Sequence, residues 1–476
     1  MRKVTKIFTK IVSTVILLLI LLPVAGTLLL SMPSVQNRAV HWATHFASEK
    51  LGTKVSIDHI TIGMLNRVKV RGFYVEDMDG DTLLYARTVM AQMGPLAGIS
   101  QQFTISSARV DNAVLYLRET ERGEINIKEV TDRLVNPNKR EKKPFHLLIR
   151  SIDVDSVNFR LERLEKRNPE FGVDYMDMQM NNISAHLDNF YVDGAAVGGD
   201  VTKLNFVERS GFVLDNMSAT FLVDKGLVAL KDATIIAHQS QVNVPSFAIT
   251  GKDWGCYKDF IRNVRLDVEV KNSFVNSDMV GYFAPTLLGW DTSIRDVAAS
   301  MHGTVANFKG RIDNLTLEDG GKIKATATVK GLVDVERTRF DVKVQNVDVT
   351  TPEFVRLLGN IAHLKVPEKI RPYIERTDHL NIKGDFKGLI SSFDASALVA
   401  MRSGGTLTAQ CAMRTEDDGR DITAEMVADS LNISPLLATD SPLTASFAVK
   451  GAAEFGDDVS MEASGKIGSL LFNGYN

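Results

Sequence analysis

Cysteine is nearly absent from this chain. Cys256 and Cys411 are the only two in 476 residues, far apart and in unlike surroundings, so neither a zinc quartet nor a disulfide framework is implied. Both thiols are expected to be free and buried. An excess of either charge is missing as well: 55 Lys and Arg stand against 58 Asp and Glu, for a net charge of -3. The cations are spread along the chain, which argues against nucleic acid or another polyanion as a partner. No GxSxG elbow or phosphate-cradling glycine loop occurs. His41 and His45 have the spacing of a two-histidine metal face, but HWATH carries no glutamate to act as a metalloprotease base, and a solvated pair is the plainer reading. Asp77, Asp79 and Asp81 around Gly80 hint at calcium without the bidentate glutamate of an EF-hand, so a hairpin turn accounts for them. Trp254-Gly255-Cys256 reads as packing. No catalytic residue, metal or cofactor is expected, and the chain does not read as an enzyme.

Long charge-free apolar sequence is equally scarce after residue 30, and this throws the one such run into relief. Ile11 to Leu30, including Leu17 and Leu21, is uncharged and follows Arg2, Lys3, Lys6 and Lys10. Twenty residues at the helical rise match a hydrocarbon core of roughly 30 Å. The cationic N-terminus places residues 1–10 in the cytoplasm, 11–31 as a single transmembrane anchor, and the bulk of the chain across the membrane. A cleaved signal peptide is the competing reading, with Val24-Ala25-Gly26 as its cleavage site. Against it, the run continues through Leu28, Leu29 and Leu30.

Beyond the anchor the pattern is short alternating strands. Val35, Ala39, Trp42, Ala43, Phe46 and Leu51 fall at helical spacing, predicting an amphipathic helix over 34–51 whose apolar side packs on the first strands or at the bilayer interface. Gly52 ends it. Val68, Val70, Phe73 and Val75 lead into Asp79-Gly80, a type I′ turn dipeptide, and 82–86 returns. A second meander carries Phe103, Ile105, Ala108 and Val110, a turn at Asp111-Asn112, then Leu115 and Leu117. Residues 32–135 form this first region; 136–144 (NPNKREKKP), with two prolines and no apolar residue, is an exposed linker; and 145–476 is a series of β-meanders. There Leu266, Val268 and Val270, and likewise Ile323, Ala325, Ala327 and Val329, alternate with charged or hydroxyl residues, giving each strand one apolar and one wet face. Phe340, Val342 and Val344 repeat the pattern.

A weak repeat runs through this region. Phe308-Lys309-Gly310 recurs as Phe386-Lys387-Gly388, and Gly321 to Thr326 as Gly405 to Gln410. The strand ends at Val270-Lys271-Asn272, Val344-Gln345-Asn346 and Val427-Ala428-Asp429 each lead into a short helical or looped segment, of which 351–358 and 367–376 are the best helical candidates. The unit is a β-meander of roughly 75–85 residues, repeated about three times and continuing past Phe472, so the chain reads as part of a longer array.

Three stretches resemble the TamB-like members of the AsmA-like envelope proteins, toward their N-terminal part. These are the anchor and helix followed by LGTKVSIDHITIG; the paired-strand opening LNRVKVRGFYVEDMDGDTLLYA, with Gly72, Asp77, Gly80, Asp81 and Leu83; and KLNFVERSGFVLDNMSATF from Lys203 to Phe221. The family's C-terminal β-domain has no counterpart. The resemblance implies a mostly β fold: an elongated, twisted antiparallel sheet rolled into a trough, with an N-terminal transmembrane helix and few short helices. It implies tethering in the inner membrane of a Gram-negative envelope, with the bulk periplasmic. The implied role is carriage of phospholipid toward the outer membrane, or assistance to the insertion of outer-membrane proteins and autotransporters with a TamA-like β-barrel partner.

On that reading Leu266, Val268, Val270, Ile323, Ala325, Ala327, Val329, Phe340, Val342 and Val344 line a lipid groove. Alternating strands also suit any β-sandwich with a dry core, and an exported adhesin is a third possibility. A groove wetted by lipid and a core sealed by a second layer are separated by what covers those ten side chains.

Overall fold

The computed structural model describes residues 33–63, 67–93, 102–132, 146–165, 169, 171–283, 292–332, 334–360, 366–369, 371–377, 379–416, 419–455 and 459–472. The anchor residues Ile11, Leu17, Leu21 and Leu30, and the linker 136–144, lie outside them. Among the described residues no helix is long and apolar enough to cross a membrane. The fold is mostly β with few short helices, and the chain divides into two units, up to Asp224 and from Lys225.

The first unit carries β1 (Val55–Ser56), β2 (His59–Gly63), β3 (Arg67–Glu76), β4 (Thr82–Met93), β5 (Gln102–Arg118), β6 (His146–Glu162), β7 (Asp177–Asp193), β8 (Ala196–Glu208) and β9 (Val213–Asp224). Both β1 and β2 pair with β3, and β3 to β5 form an antiparallel meander. β5 and β6 then run parallel from Gln102↔His146 to Arg118↔Glu162, and β6 to β9 are again antiparallel. A parallel pair cannot be joined by a tight turn. The crossover between Arg118 and His146, which includes the helix Asn126–Asp132 and the linker, supplies the longer connection.

The second unit is antiparallel throughout. It contains β10 (Leu227–Ala237), β11 (Ser240–Thr250), β12 (Arg265–Asn276), β13 (Ser293–Thr304), β14 (Asn307–Leu317), β15 (Lys322–Lys330), β16 (Arg339–Thr350), β17 (His379–Gly388), β18 (Phe393–Met401), β19 (Thr406–Glu416), β20 (Gly419–Asn432), β21 (Leu443–Phe455) and β22 (Val459–Phe472). Each strand pairs with the next. No pairing among the described residues joins β10 to β22, so this sheet is open. β12, β16 and β20 are each followed by a helix (Ser277–Gly281, Thr351–Asn360 and Ser434–Leu437), which makes four strands and a helix the repeating unit. Gly321–Thr326 and Gly405–Gln410 occupy equivalent positions at the starts of β15 and β19. The Phe-Lys-Gly pair does not, because it opens β14 but closes β17.

One expected turn is absent and another takes a different form. Asp111-Asn112 lies inside the continuous strand β5, with Asn112 at φ 51°. The β3–β4 connection is a five-residue loop, Asp77 to Asp81, in which only Gly80 takes positive φ. A type I′ turn would need it at both central positions.

The in-strand feature that replaces the Asn112 turn is general. Gly72 and Asn112 both lie opposite Arg87, Asn112 is the register partner of Ser156, and Gly72, Asn112 and Ser156 all have φ between 51° and 61°. A left-handed residue inside a strand bends it and turns the side-chain phase by one. Val68 and Val70 before Gly72 can thereby share a face with Phe73 and Val75 after it. In the second unit Asp232, Asn272, Asp296 and Ser430 take the same conformation, and register shifts run through mid-strand from β12 to β17 and recur between β20 and β22. These bends form a crease in each unit, interrupted in the second across β17 to β20, where the register is continuous.

A Cβ at Gly72 would overlap the Asp58 carboxylate as well as strain the backbone. Gly72→Ala, or Asn112→Val with its β-branched side chain, is expected to cost about 1–3 kcal/mol. The expected readout is a lowered thermal midpoint for the first unit, whereas Val110→Ile in the same strand leaves it within a degree or so.

On one side of the crease the apolar face is covered. In the first unit Val55, Val75, Leu83 and Val130 are buried, with Ala47 and Leu51 of the helix Pro33–Leu51 and Ile127 packed on them. In the second, Ile294, Leu317, Val349 and Leu357 are buried, and Leu357 and Phe354 come from the helix Thr351–Asn360.

Candidate functional site: an apolar strip across the second unit

On the other side of the crease, the register lines up apolar side chains from strand to strand. Directly opposed residues of antiparallel strands point to one face. The middle row therefore runs Phe247, Val268, Met301, Gly310, Ala327, Val342 and Phe386 across β11 to β17, and continues through Ala395, Cys411, Ala424, Gly451 and Ala463 to β22. Two residues to one side, a second row from Ile249 to Met461 includes Leu266, Val329 and Phe340. Two residues to the other, a third from Val270 to Gly465 includes Ala325 and Val344. Every position in the three rows is apolar or glycine. Twelve strands at about 4.8 Å apart make a strip roughly 50 Å long, and five residues of strand make it roughly 14 Å wide.

Nine of the ten residues expected to line a groove fall in these rows. The tenth, Ile323, lies across the crease and packs against the buried cluster under the helix Thr351–Asn360, so its surroundings are those of a core residue. Within the rows only Val329 is buried, at 5% exposure, whereas Met426, Val449 and Met461 stand 41%, 41% and 70% exposed. Neither buried apolar cluster contains a row residue. The contributions of β17 to β22 were missed in sequence, although Leu407, Ala409, Cys411 and Met413 alternate as regularly as the strands that were read.

The opposite face is charged and paired. Arg265 binds Asp267 at 2.8 Å, and His302 reaches the same carboxylate at 3.0 Å from the next strand. The Arg265 hydrogen bond in particular holds the Asp267 carboxyl below its ordinary value, against the opposing effect of burial. Lys271–Glu269 and Arg311–Asp313 are similar. A concavity of about 940 Å³ over β17 to β22 is lined by charged residues of this face, among them Asp385, Glu425 and Lys450, and also by the row residues Ala395, Cys411 and Ala424, with Lys450 and Glu425 paired at 2.9 Å.

The candidate calcium loop has another occupant. Arg118, from the end of β5, places Nε on Asp77 at 2.8 Å, Nη2 on Asp79 at 2.7 Å and Nη1 on Asp81 at 2.8 Å. Asp77 is 2% exposed and also accepts from the Asn126 side chain and the Asp79 and Asp81 amides. The three carboxylates hold a structural guanidinium. His41 and His45 are exposed, with His45 3.8 Å from Glu49. Among the described residues no group of three or more His, Cys, Asp or Glu is placed to hold a metal ion. Both cysteines are free and half-buried rather than buried; Cys411 sits in the strip. No family model, curated protein or solved structure matches the chain.

Proposed function

We propose that this chain is a lipid-transfer conduit, tethered in an inner membrane by residues 11–31, whose apolar strip solvates phospholipid acyl chains on their way toward an outer membrane. The observation that carries the reading is the strip itself: three adjacent rows without a polar side chain, half-buried, beside a covered end where the same face is sealed. Moving an acyl chain of about 15 methylenes through water costs on the order of 12 kcal/mol at roughly 0.8 kcal/mol per methylene. A continuous apolar surface removes most of that barrier without binding any one position tightly. The bends at the crease are the means by which such a sheet would roll into a trough, leaving headgroups at its open edge. Residues of the strip act by solvation alone, which suits a chain with no residue-specific chemistry in its rows.

The test is lipid recovered with the detergent-extracted protein and identified by mass spectrometry. Phospholipid is expected, and a photoreactive residue at Ala327 is expected to form lipid adducts while one at Lys343, on the charged face, does not. Protein that carries no lipid and labels equally at both positions would defeat the proposal.

A further inference from the structure

We infer that the outward face of the helix Pro33–Leu51 is a docking surface for the interfacial layer of an anionic lipid bilayer. The periodicity that predicted this helix gave it a single apolar side, with Trp42 and Phe46 beside Leu51, for the first strands or the bilayer interface. Instead Ala47 and Leu51 pack on the first-unit core, Ser48 bonds the Val55 amide, and the two aromatics point outward, Trp42 69% and Phe46 48% exposed. Their rings stack at 5.4 Å, and the Lys50 ammonium lies 5.8 Å from the Phe46 centroid. Arg38, His41 and His45 share this exposed face, with Glu49 as its one acid.

Two large aromatic rings held in water among cations match one environment well. At the headgroup level of a bilayer, ring faces meet glycerol and upper acyl carbons, and Lys and Arg meet phosphate. The uncharged run Ile11–Leu30 ends with only Ser31 and Met32 before the helix begins, so a chain tethered by that run delivers this face to the interface. The inference rests on the tether of the proposed function and is independent of the strip.

The experiment uses the full chain with Trp254→Phe and Trp290→Phe, leaving Trp42 as the sole indole. It is reconstituted into vesicles of phosphatidylcholine and phosphatidylglycerol brominated near the headgroup. Trp42 emission is expected to shift to the blue and to be quenched roughly twofold or more, as for an interfacial ring, and Arg38→Glu with Lys50→Glu to reverse most of this. Protein that floats with the vesicles while Trp42 stays unshifted and unquenched overturns this inference and leaves the tether standing. Protein that does not associate with vesicles overturns both. A blue shift that follows protein concentration without lipid assigns the face to a second copy and overturns the bilayer reading.

Discussion

Replacing Arg118 with methionine is expected to lower the stability of the first unit by roughly 3–5 kcal/mol, because one guanidinium serves three carboxylates and one of them is buried. Asp79 and Asp81 regain water when Arg118 is lost, but Asp77 cannot. Methionine retains most of the side-chain volume, so the effect reports on charge more than on packing. The same site predicts a pH dependence. Burial alone would raise the Asp77 pKa, yet hydrogen bonds from Arg118, Asn126 and the Asp81 amide outweigh it and hold the carboxyl below its ordinary value. A depressed folded-state pKa contributes stability that is complete above the ordinary aspartate value of about 3.9 and is lost as pH falls through the lower, folded value. Denaturant titrations at neutral pH and near pH 3 are expected to show the Arg118→Met deficit shrinking in acid. A deficit that stays constant would mean that Arg118 acts by packing alone.

Arg118 also shows where sequence reading stops. The helix over 34–51, the meanders and the helix beginning at Thr351 were legible, because each is written in local periodicity, whereas the segments after β12 and β20 read only as helical or looped. So was the shared face of nine of the ten residues expected to line a groove, since alternation fixes which side chains share a face. The clamp on Asp77 was not: its two partners are 41 residues apart and meet only because β3 to β5 pair in one register. The crease was misread for a different reason. A phase slip such as Val70 to Phe73, or Val110 to Ala113, looks like the end of one strand and the start of another. An Asn, Asp, Ser or Gly at the slip, with the alternation resuming at once one residue out of phase, is the signal for a left-handed bulge inside one strand. The place of Trp42 and Phe46, against the strands or at the bilayer interface, stayed open because hydrophobicity alone cannot say which of two apolar stripes on a helix meets the protein. Ile323 went astray by the same blindness, since alternation identifies its face but not the helix that covers it.

Covered and open ends of one face give the sharpest test of the strip. Val349 is fully buried among Ile294, Leu317 and Leu357, so Val349→Asp must desolvate a carboxylate with no partner and is expected to cost about 4 kcal/mol or more. Ala327 faces the same way one strand earlier, across the crease and without a helix over it. Ala327→Asp is expected to cost only about 1 kcal/mol, because its carboxylate stays hydrated. Lipid reverses the order of the two variants. On the proposed function a charge in the middle row would interrupt the apolar surface offered to an acyl chain, so Ala327→Asp is expected to retain the circular dichroism spectrum and melting behaviour of the parent while losing most of its copurified phospholipid. Were Ala327→Asp to unfold the second unit as severely as Val349→Asp, the strip would have to be as sealed as the core, and no room would remain along it for a hydrocarbon chain.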